Sequence, residues 1–511
     1  MNSLVPLFVI IPLGTAFLMA IFGRLIKGFC KVILPAAMLY LLALTVYFIF
    51  YVKEVSVYGV GGFDLVNGVP IAIYLVIDGL SKILLLIISL IGFLAVFYSL
   101  SYSAQYTAER KYYILFSLMI AGMNGMVISG DIFNMYVFLE ISAISSYALV
   151  AFGIEKQQLE ASFKYQVLGG VASLIILTAI GFIYWFTGSL NIADISRQIA
   201  HSGVFTKFVS VLLICGFGLK AAVFPFHSWL PDAHSSAPSP ISAMLSGVLI
   251  KAIGIYVIIR LFFNMFPLSY ETAMVITVLG TISMIVGGIL AYGQWDIKRM
   301  LAYSSISQIG YVILGVGIGM LILAKDGNKT IAALSITGGL FHLLNHAVFK
   351  GLLFLGAGAV EYRTHTRDMR KLGGLSGLMP VTSVSSFIAS MSISGIPPFN
   401  GFFSKLIIII AAVKARYYFL AFLAMAVSII TIAYFLKLQK YTFFNKEKNP
   451  QKQQGFNIKE VPFPMTFSMI VLSILCLGFS LLIIPQLRTI ILDPAVETLL
   501  KTVSYSINII R

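Results

Sequence analysis

Seven basic side chains sit inside long apolar runs of this 511-residue chain: Lys82, Lys164, Lys220, Lys251, Lys350, Lys405 and Lys437. An ionised lysine at the centre of a bilayer costs about 2.5–3.5 kcal/mol on insertion scales, so each calls for a partner, water or a task. Lysine suits proton relay, because burial favours the neutral amine and an approaching carboxylate restores the charge. Only Glu140 lies deep in an apolar run as an acid. The preferred reading pairs it with Lys220, so that moving the carboxylate toward or away from the amine loads or discharges a proton. A static pair fastening two helices is the alternative. His342, His346 and Lys350 fall at i, i+4 and i+8, one helix face. Two histidines four apart resemble a metal face, yet Leu343 stands where the HExxH pattern needs its glutamate, so no metal is expected. The stripe fits a proton path, with an interhelical hydrogen bond as the competing reading. His227 and His234 flank Trp229-Leu-Pro-Asp232 and either extend the path or satisfy unwound backbone. Ser246, Ser304, Ser305, Ser307, Gln308 and Tyr311 are candidates to carry water between the lysines. Asp78 and Lys82, at i and i+4, read as a structural ion pair. Lys82, Lys164 and Lys437 lie near the ends of their runs, where a lysine can snorkel to the interface.

These residues need helices to hold them. Hydrophobic residues make up 59% of the chain and charged residues 11%, against about 25% charged in soluble proteins. Too few charges remain to solvate a surface of this size, so the solvent is lipid. Apolar stretches near 4–23, 31–52, 72–101, 112–130, 132–153, 162–187, 206–226, 240–262, 271–292, 298–323, 331–360, 379–414, 417–440 and 463–485 predict fourteen transmembrane helices. The first is expected to be a span and not a cleavable signal. The seventh is interrupted by Pro225 and Pro231, and the twelfth by Gly395-Ile-Pro-Pro398. Broken helices in pairs point to a transport site near the midplane. The net charge of +16 reflects lysine and arginine in loops rather than a nucleic-acid partner. Placing both termini outside puts 17 loop bases, Lys298 among them, inside against 11, Arg260 among them, outside, which favours that orientation in the cell membrane, with 361–378 and 441–462 as the main cytoplasmic loops. The lone Cys30, Cys215 and Cys476 form no cluster pattern, so no cofactor and no redox or hydrolytic site of its own is expected.

The lysine spacings suggest a duplication. Lys164 and Lys350 both end an Ala-x-Phe-Lys tetrad 186 positions apart, Lys251 and Lys437 share that offset, and Lys220 and Lys405 differ by 185. Five spans per unit is odd, so the second unit is inverted. The expected divisions are 1–105 (helices 1–3), 106–265 (first repeat), 266–442 (second repeat) and 443–511 (loop, last span and tail).

At these residues the chain resembles a known family. Lys220-Ala-Ala-Val-Phe-Pro-Phe-His-Ser-Trp-Leu-Pro-Asp-Ala-His234 with Lys251, His342-Leu-Leu-Asn-His346-Ala-Val-Phe-Lys350, Gly395-Ile-Pro-Pro-Phe-Asn-Gly-Phe-Phe-Ser-Lys405 and Asp78-Gly-Leu-Ser81 are similar to the signatures of antiporter-like subunits. These occur in respiratory complex I, Mrp-type cation/proton antiporters and membrane-bound hydrogenases. The resemblance implies fourteen helices, two inverted five-helix repeats and broken helices 7 and 12. It implies Glu140 and Lys220 as the charge pair, Lys251 as a bridging lysine, Lys405 as the terminal relay, and His346 and Lys350 on the eleventh helix. It further implies other membrane subunits as partners, paralogues included, and protons as the ion, with Na+ left open. The length suits the medium-sized D-type Mrp subunit. A small-solute transporter and a purely structural subunit are the competing classes; the first predicts a roomy midplane pocket, the second a dry site with Glu140 far from Lys220.

Overall fold

Hydrocarbon offers no partner for a main-chain N–H or C=O, so a chain this apolar satisfies its backbone inside each segment, and helices follow. The computed structural model describes residues 2–62, 70, 72–199, 203–446 and 458–501. The basic loop 441–462 and the end of the tail therefore fall partly outside the described residues. In chain order the elements are α1 (Leu7–Phe22), α2 (Phe29–Tyr51), an antiparallel pair β1 (Ser56–Gly59) and β2 (Tyr74–Ile77), α3 (Gly79–Tyr102), α4 (Glu109–Ile128) and α5 (Ile132–Val150). Then come α6 (Lys156–Thr187), the short α7 (Ile192–Ile199), α8 (Gly203–Lys220), α9 (Trp229–Ser236) and α10 (Ser239–Asn264). After these follow α11 (Tyr270–Tyr292), α12 (Ile297–Lys325), α13 (Lys329–Thr364), α14 (Pro380–Ser394), α15 (Asn400–Lys414), α16 (Tyr418–Phe444), α17 (Phe463–Ile483) and α18 (Pro485–Leu500).

The protein is an all-α, multi-pass membrane protein. Among the described residues, 13 helices are long and apolar enough to cross a membrane. The pair α14 and α15, 15 residues each, forms the interrupted segment expected at 379–414. Side-chain caps fix several starts: Asp78 accepts from Ser81 N, Asp131 from Asn134 N and Asp296 from Arg299 N, each satisfying an amide that the first turn leaves free. The most apolar windows of α10 and α13 are wholly buried, whereas those of α1, α16 and α17 are one-third buried. The helices carrying Lys251 and Lys350 are thus the centre of the bundle, and the outer ones face lipid. The tail also differs from expectation, because α18 is a packed helix. Its Pro494 carbonyl lies against Gly79, and Asn264 Nδ2 donates to Thr498 O at 3.0 Å. The stretch 485–500 holds an internal proline and three charged residues, Arg488, Asp493 and Glu497, which hides it from a search for apolar spans.

Candidate functional site

Both broken segments end their first half on a left-handed residue, and both place a lysine at that end. Helix α8 stops at Lys220, with Ala222 at φ 54°; α14 stops at Ser394, with Gly395 at φ 77°. The last carbonyls of a helix have no amide partner within it and carry partial negative charge. An ammonium is the natural group to place there. Lys405, on the first turns of α15, reaches back across the break and donates to Ile393 O at 2.8 Å and to Ser428 Oγ at 3.2 Å, over the face of Tyr311 at 4.7 Å.

Glu140 and Lys220 meet. Lys220 Nζ lies 3.5 Å from Glu140 Oε1 and 3.4 Å from Tyr147 OH. Ser173 Oγ donates to the same carboxylate oxygen. Tyr147 packs edge-on against Tyr165, which stacks on Trp229 at 4.2 Å, and Trp229 Nε1 donates to Leu219 O. The aromatic column thus ties the surroundings of Lys220 to α9. The two charges are not alike in exposure: the Lys220 side chain is 1% exposed and that of Glu140 26%. Glu140 belongs to an outward stripe of α5 with Phe133, Val137 and Ile144, at i, i+4, i+7 and i+11.

From Lys220 the bases continue inward. Lys251 lies in a stretch where α10 widens to π-helical turns, Leu245–Leu249 and Lys251–Tyr256. Its ammonium folds back onto Ser246 O (2.7 Å) and Gly247 O (2.6 Å). Ser246 Oγ meets Ser305 Oγ at 2.7 Å, and Ser305 shares the carbonyl of Leu301 with Lys350, which also reaches Ser304. Further along α13, His342 joins Ser404 Oγ at 2.9 Å and Gln308 Oε1 at 3.1 Å. The ring of His346 lies parallel to that of His342 with centroids 6.4 Å apart. Both nitrogens of His346 and of His234 lack a protein partner despite full burial, as does Gln308 Nε2. Buried polar atoms are almost always hydrogen-bonded, to water where protein supplies nothing. The arrangement is therefore a buried series of titratable and hydroxyl groups. Among the described residues no group of His, Cys, Asp and Glu has the geometry to hold a metal ion.

A family model described as NADH:quinone oxidoreductase/Mrp antiporter, transmembrane, matches residues 129–431, a stretch containing Glu140, Lys220, Lys251, Lys350 and Lys405. The chain belongs to this family. Among its relatives in the family is the D-type component of the Na(+)/H(+) antiporter of Alkalihalophilus pseudofirmus, 32% identical over 98% of this chain and 100% of the relative. Another is the N-type component of the NADH-quinone oxidoreductase of Desulforudis audaxviator, 34% identical over 72% of each. A chain in the structure of the Mrp complex from Dietzia sp. DQ12-45-1b superposes on this family member with a TM-score of 0.89 at 28% identity, covering 100% of this chain and 99% of that one.

Several sequence expectations are corrected by this family member's structure. Asp78 pairs with Arg260, at 2.6 and 2.8 Å to its two oxygens, and not with Lys82, whose ammonium caps Val52 O. Arg260, taken from the sequence as an outer loop base, is buried within α10. Lys298, taken as a cytoplasmic loop base, is likewise buried and pairs with Glu361 at 2.8 Å. Lys164 stands off the buried line: 47% exposed, it binds Glu160 (2.7 Å) and Asp232 (3.1 Å). Lys437 lies over Trp295 and caps the end of α11 through Tyr292 O and Gln294 O. Of the three lysine pairs, only Lys220 and Lys405 both stand at a helix break, and their partners differ. His227 is half-buried, stacked on Phe224. Sequence reasoning missed Tyr147, although it lies seven residues after Glu140 on the same helix face. Nothing in the sequence signals Ser173 or the widened turns of α10.

Gly169 offers a test of Tyr147. A Cβ there would lie 2.0 Å from Tyr147 OH, whereas one at the adjacent Gly170 meets nothing within 4 Å. Gly169→Ala is expected to push the phenol off Lys220 and slow transport severalfold, while Gly170→Ala transports normally. Equal rates in the two would remove Tyr147 from the site.

Proposed function

We propose that this protein is the proton-translocating subunit of a multisubunit ion-pumping or redox-coupled membrane complex. It has no catalytic site of its own and relays protons along Lys220, Lys251, Lys350, His346, His342 and Lys405, with Glu140 setting the charge on Lys220. The observation that carries this reading is the set of four buried lysines, each at most 3% exposed, of which Lys251 and Lys350 are joined through Ser246, Ser305 and the Leu301 carbonyl, with Glu140 as the only carboxylate paired to any of the four among the described residues. Amines in this setting change protonation at little cost in structure, because their partners accept hydrogen bonds from either form. Side chains fill the axis, which favours an ion of proton size over a small solute. The half-exposed stripe around Glu140 is the place for a neighbouring membrane protein of the complex, an antiporter-like paralogue included, to move that carboxylate. Whether Na+ is exchanged depends on that complex.

The same reading retains 106–265 and 266–442 as inverted repeats between 1–105 and 443–511, supported by the two broken segments with their terminal lysines. It puts the chain in the cell membrane with both termini outside. Reconstitution of the complex in vesicles tests it. Lys251→Ala and Lys405→Ala should each lower proton transport by about tenfold or more, about 1.4 kcal/mol or more in barrier. Lys164→Ala and Lys437→Ala, off the buried line, should leave most of it. The opposite ranking overturns the assignment of the axis.

A further inference from the structure

A polar cavity of about 660 Å³ has a lining that includes Tyr102, Ser236, Lys298, Glu361, His365 and Arg367. At its wall Glu361, near the C-terminal end of α13, does three things at once. One carboxylate oxygen binds the buried Lys298 ammonium at 2.8 Å and lies 3.4 Å from Ser239 Oγ; the other lies 3.7 Å from Arg367. The Glu361 side chain is 29% exposed while Lys298 behind it is 2% exposed, so the carboxylate is the boundary between cavity water and the packed interior. Lys298 is fixed from the far side by Ala237 O at 3.0 Å. Arg367 also pairs with Asp296 at 3.2 Å and donates to Ser235 O, joining this cluster to α9.

Five residues before Ser239 in the chain, His234 on α9 is fully buried, with neither ring nitrogen hydrogen-bonded to protein. Its ring is 6.1 Å from that of Phe354, over which the Lys350 ammonium sits at 6.0 Å. The Glu361 carboxylate and the Ser239 hydroxyl thus stand at the cavity, and the imidazole stands near the Lys350 end of the buried lysines.

We propose that Glu361 is the uptake station of this protein: it takes a proton from water in the cavity and delivers it past Ser239 to His234 and on to Lys350. The proposal rests on the proton-relay reading above. The carboxylate gains one proton from hydronium and becomes neutral, which loosens its hold on Lys298. It then gives the same proton to the imidazole and recovers its charge, so no proton is retained. The charged and titratable groups around it are Lys298 from α12, Arg367, Asp296 and His365 from the connecting segments, Tyr98 and Tyr102 from α3, Tyr106 from the segment after it, and Tyr362 from α13 itself. Gly358, one turn earlier, makes the approach possible: a Cβ there would lie 2.3 Å from Ser239 Cβ.

The test uses the whole complex in vesicles, with internal pH followed by a trapped dye. Glu361→Gln should slow uptake roughly tenfold when protons are supplied from the cavity side, and Glu361→Asp should restore much of it. Because Glu361→Gln leaves Lys298 buried without its partner, the paired change Glu361→Gln with Lys298→Met removes both charges; it should assemble and remain slow. Acidifying the cavity side alone should speed the wild type and leave Glu361→Gln nearly flat. Wild-type rates in both glutamine variants, or a slowing that is independent of which side is acidified, overturns the proposal. If Lys220→Ala stops transport while both glutamine variants run normally, the uptake station fails and the relay reading stands; if Lys220→Ala also runs normally, both fail.

Discussion

Lys220→Arg is expected to abolish proton transport while leaving the complex assembled and Glu140 paired. Arginine keeps the positive charge and offers more donors, yet its guanidinium does not lose a proton in proteins. Lys220→Ala should also abolish transport, but it leaves Glu140 and Ser173 without the cation between α5 and α8, so lost rate alone does not separate relay from scaffold. The arginine variant does. If the pair only fastens two helices, arginine serves as well as lysine and transport persists, a result that would falsify the relay role of Lys220. Glu140→Gln probes the other partner: without the carboxylate, the amine at 1% exposure has little reason to hold a charge. Transport in that variant should fall by about tenfold or more, with assembly preserved because the amide still accepts from Lys220 and Ser173.

Arg260→Ala should be the most damaging substitution for stability. Asp78 and Arg260 are both at most 2% exposed and bound through both carboxylate oxygens, with Ser81, Tyr256 and Asn264 among the guanidinium's further partners. Removing one member of a buried pair leaves the other charge uncompensated, at about 3–5 kcal/mol. Asp78→Ala adds loss of the α3 cap, about 0.5–2 kcal/mol. Replacing both, Asp78→Asn with Arg260→Met, should recover most of the loss, since asparagine still caps and no charge stays buried. Thermal unfolding of the detergent-solubilised protein measures all three. A double variant as unstable as Arg260→Ala would mean that the guanidinium acts through packing.

What the sequence showed clearly depended on contrast. Glu140, Lys220 and Lys405 stood out because each is a charge in an apolar run, two of them beside prolines that no uninterrupted helix accommodates. Asp78 reads as a partner of Lys82 in sequence because spacing along a helix is visible and proximity to Arg260 across 182 residues is not. Arg260 reads as a loop base, although Leu261-Phe-Phe-Asn-Met-Phe266 continues the apolar run beyond it. Lys164 and Lys437 share their offset with the buried Lys350 and Lys251, but the register of a repeat says nothing about which face meets lipid. The pairing of Lys298 with Glu361 joins residues 63 apart at the ends of neighbouring helices, where sequence hydropathy reads as boundary. The widened turns around Lys251 arise from packing within the fully buried α10, and Val, Leu and Ile in that stretch would fit an ordinary helix equally well.

The outward stripe of α5 has a consequence for how the cell handles this chain. Glu140 shares that stripe with Ile144, 62% exposed, so a copy inserted without its neighbours turns a carboxylate toward acyl chains near mid-bilayer, where a charge is costly. Such an unassembled copy is recognisably unfinished, and membrane proteases that survey exposed polar surface would clear it. The acid that tunes the lysine would thereby also enforce matched production of the proteins around it.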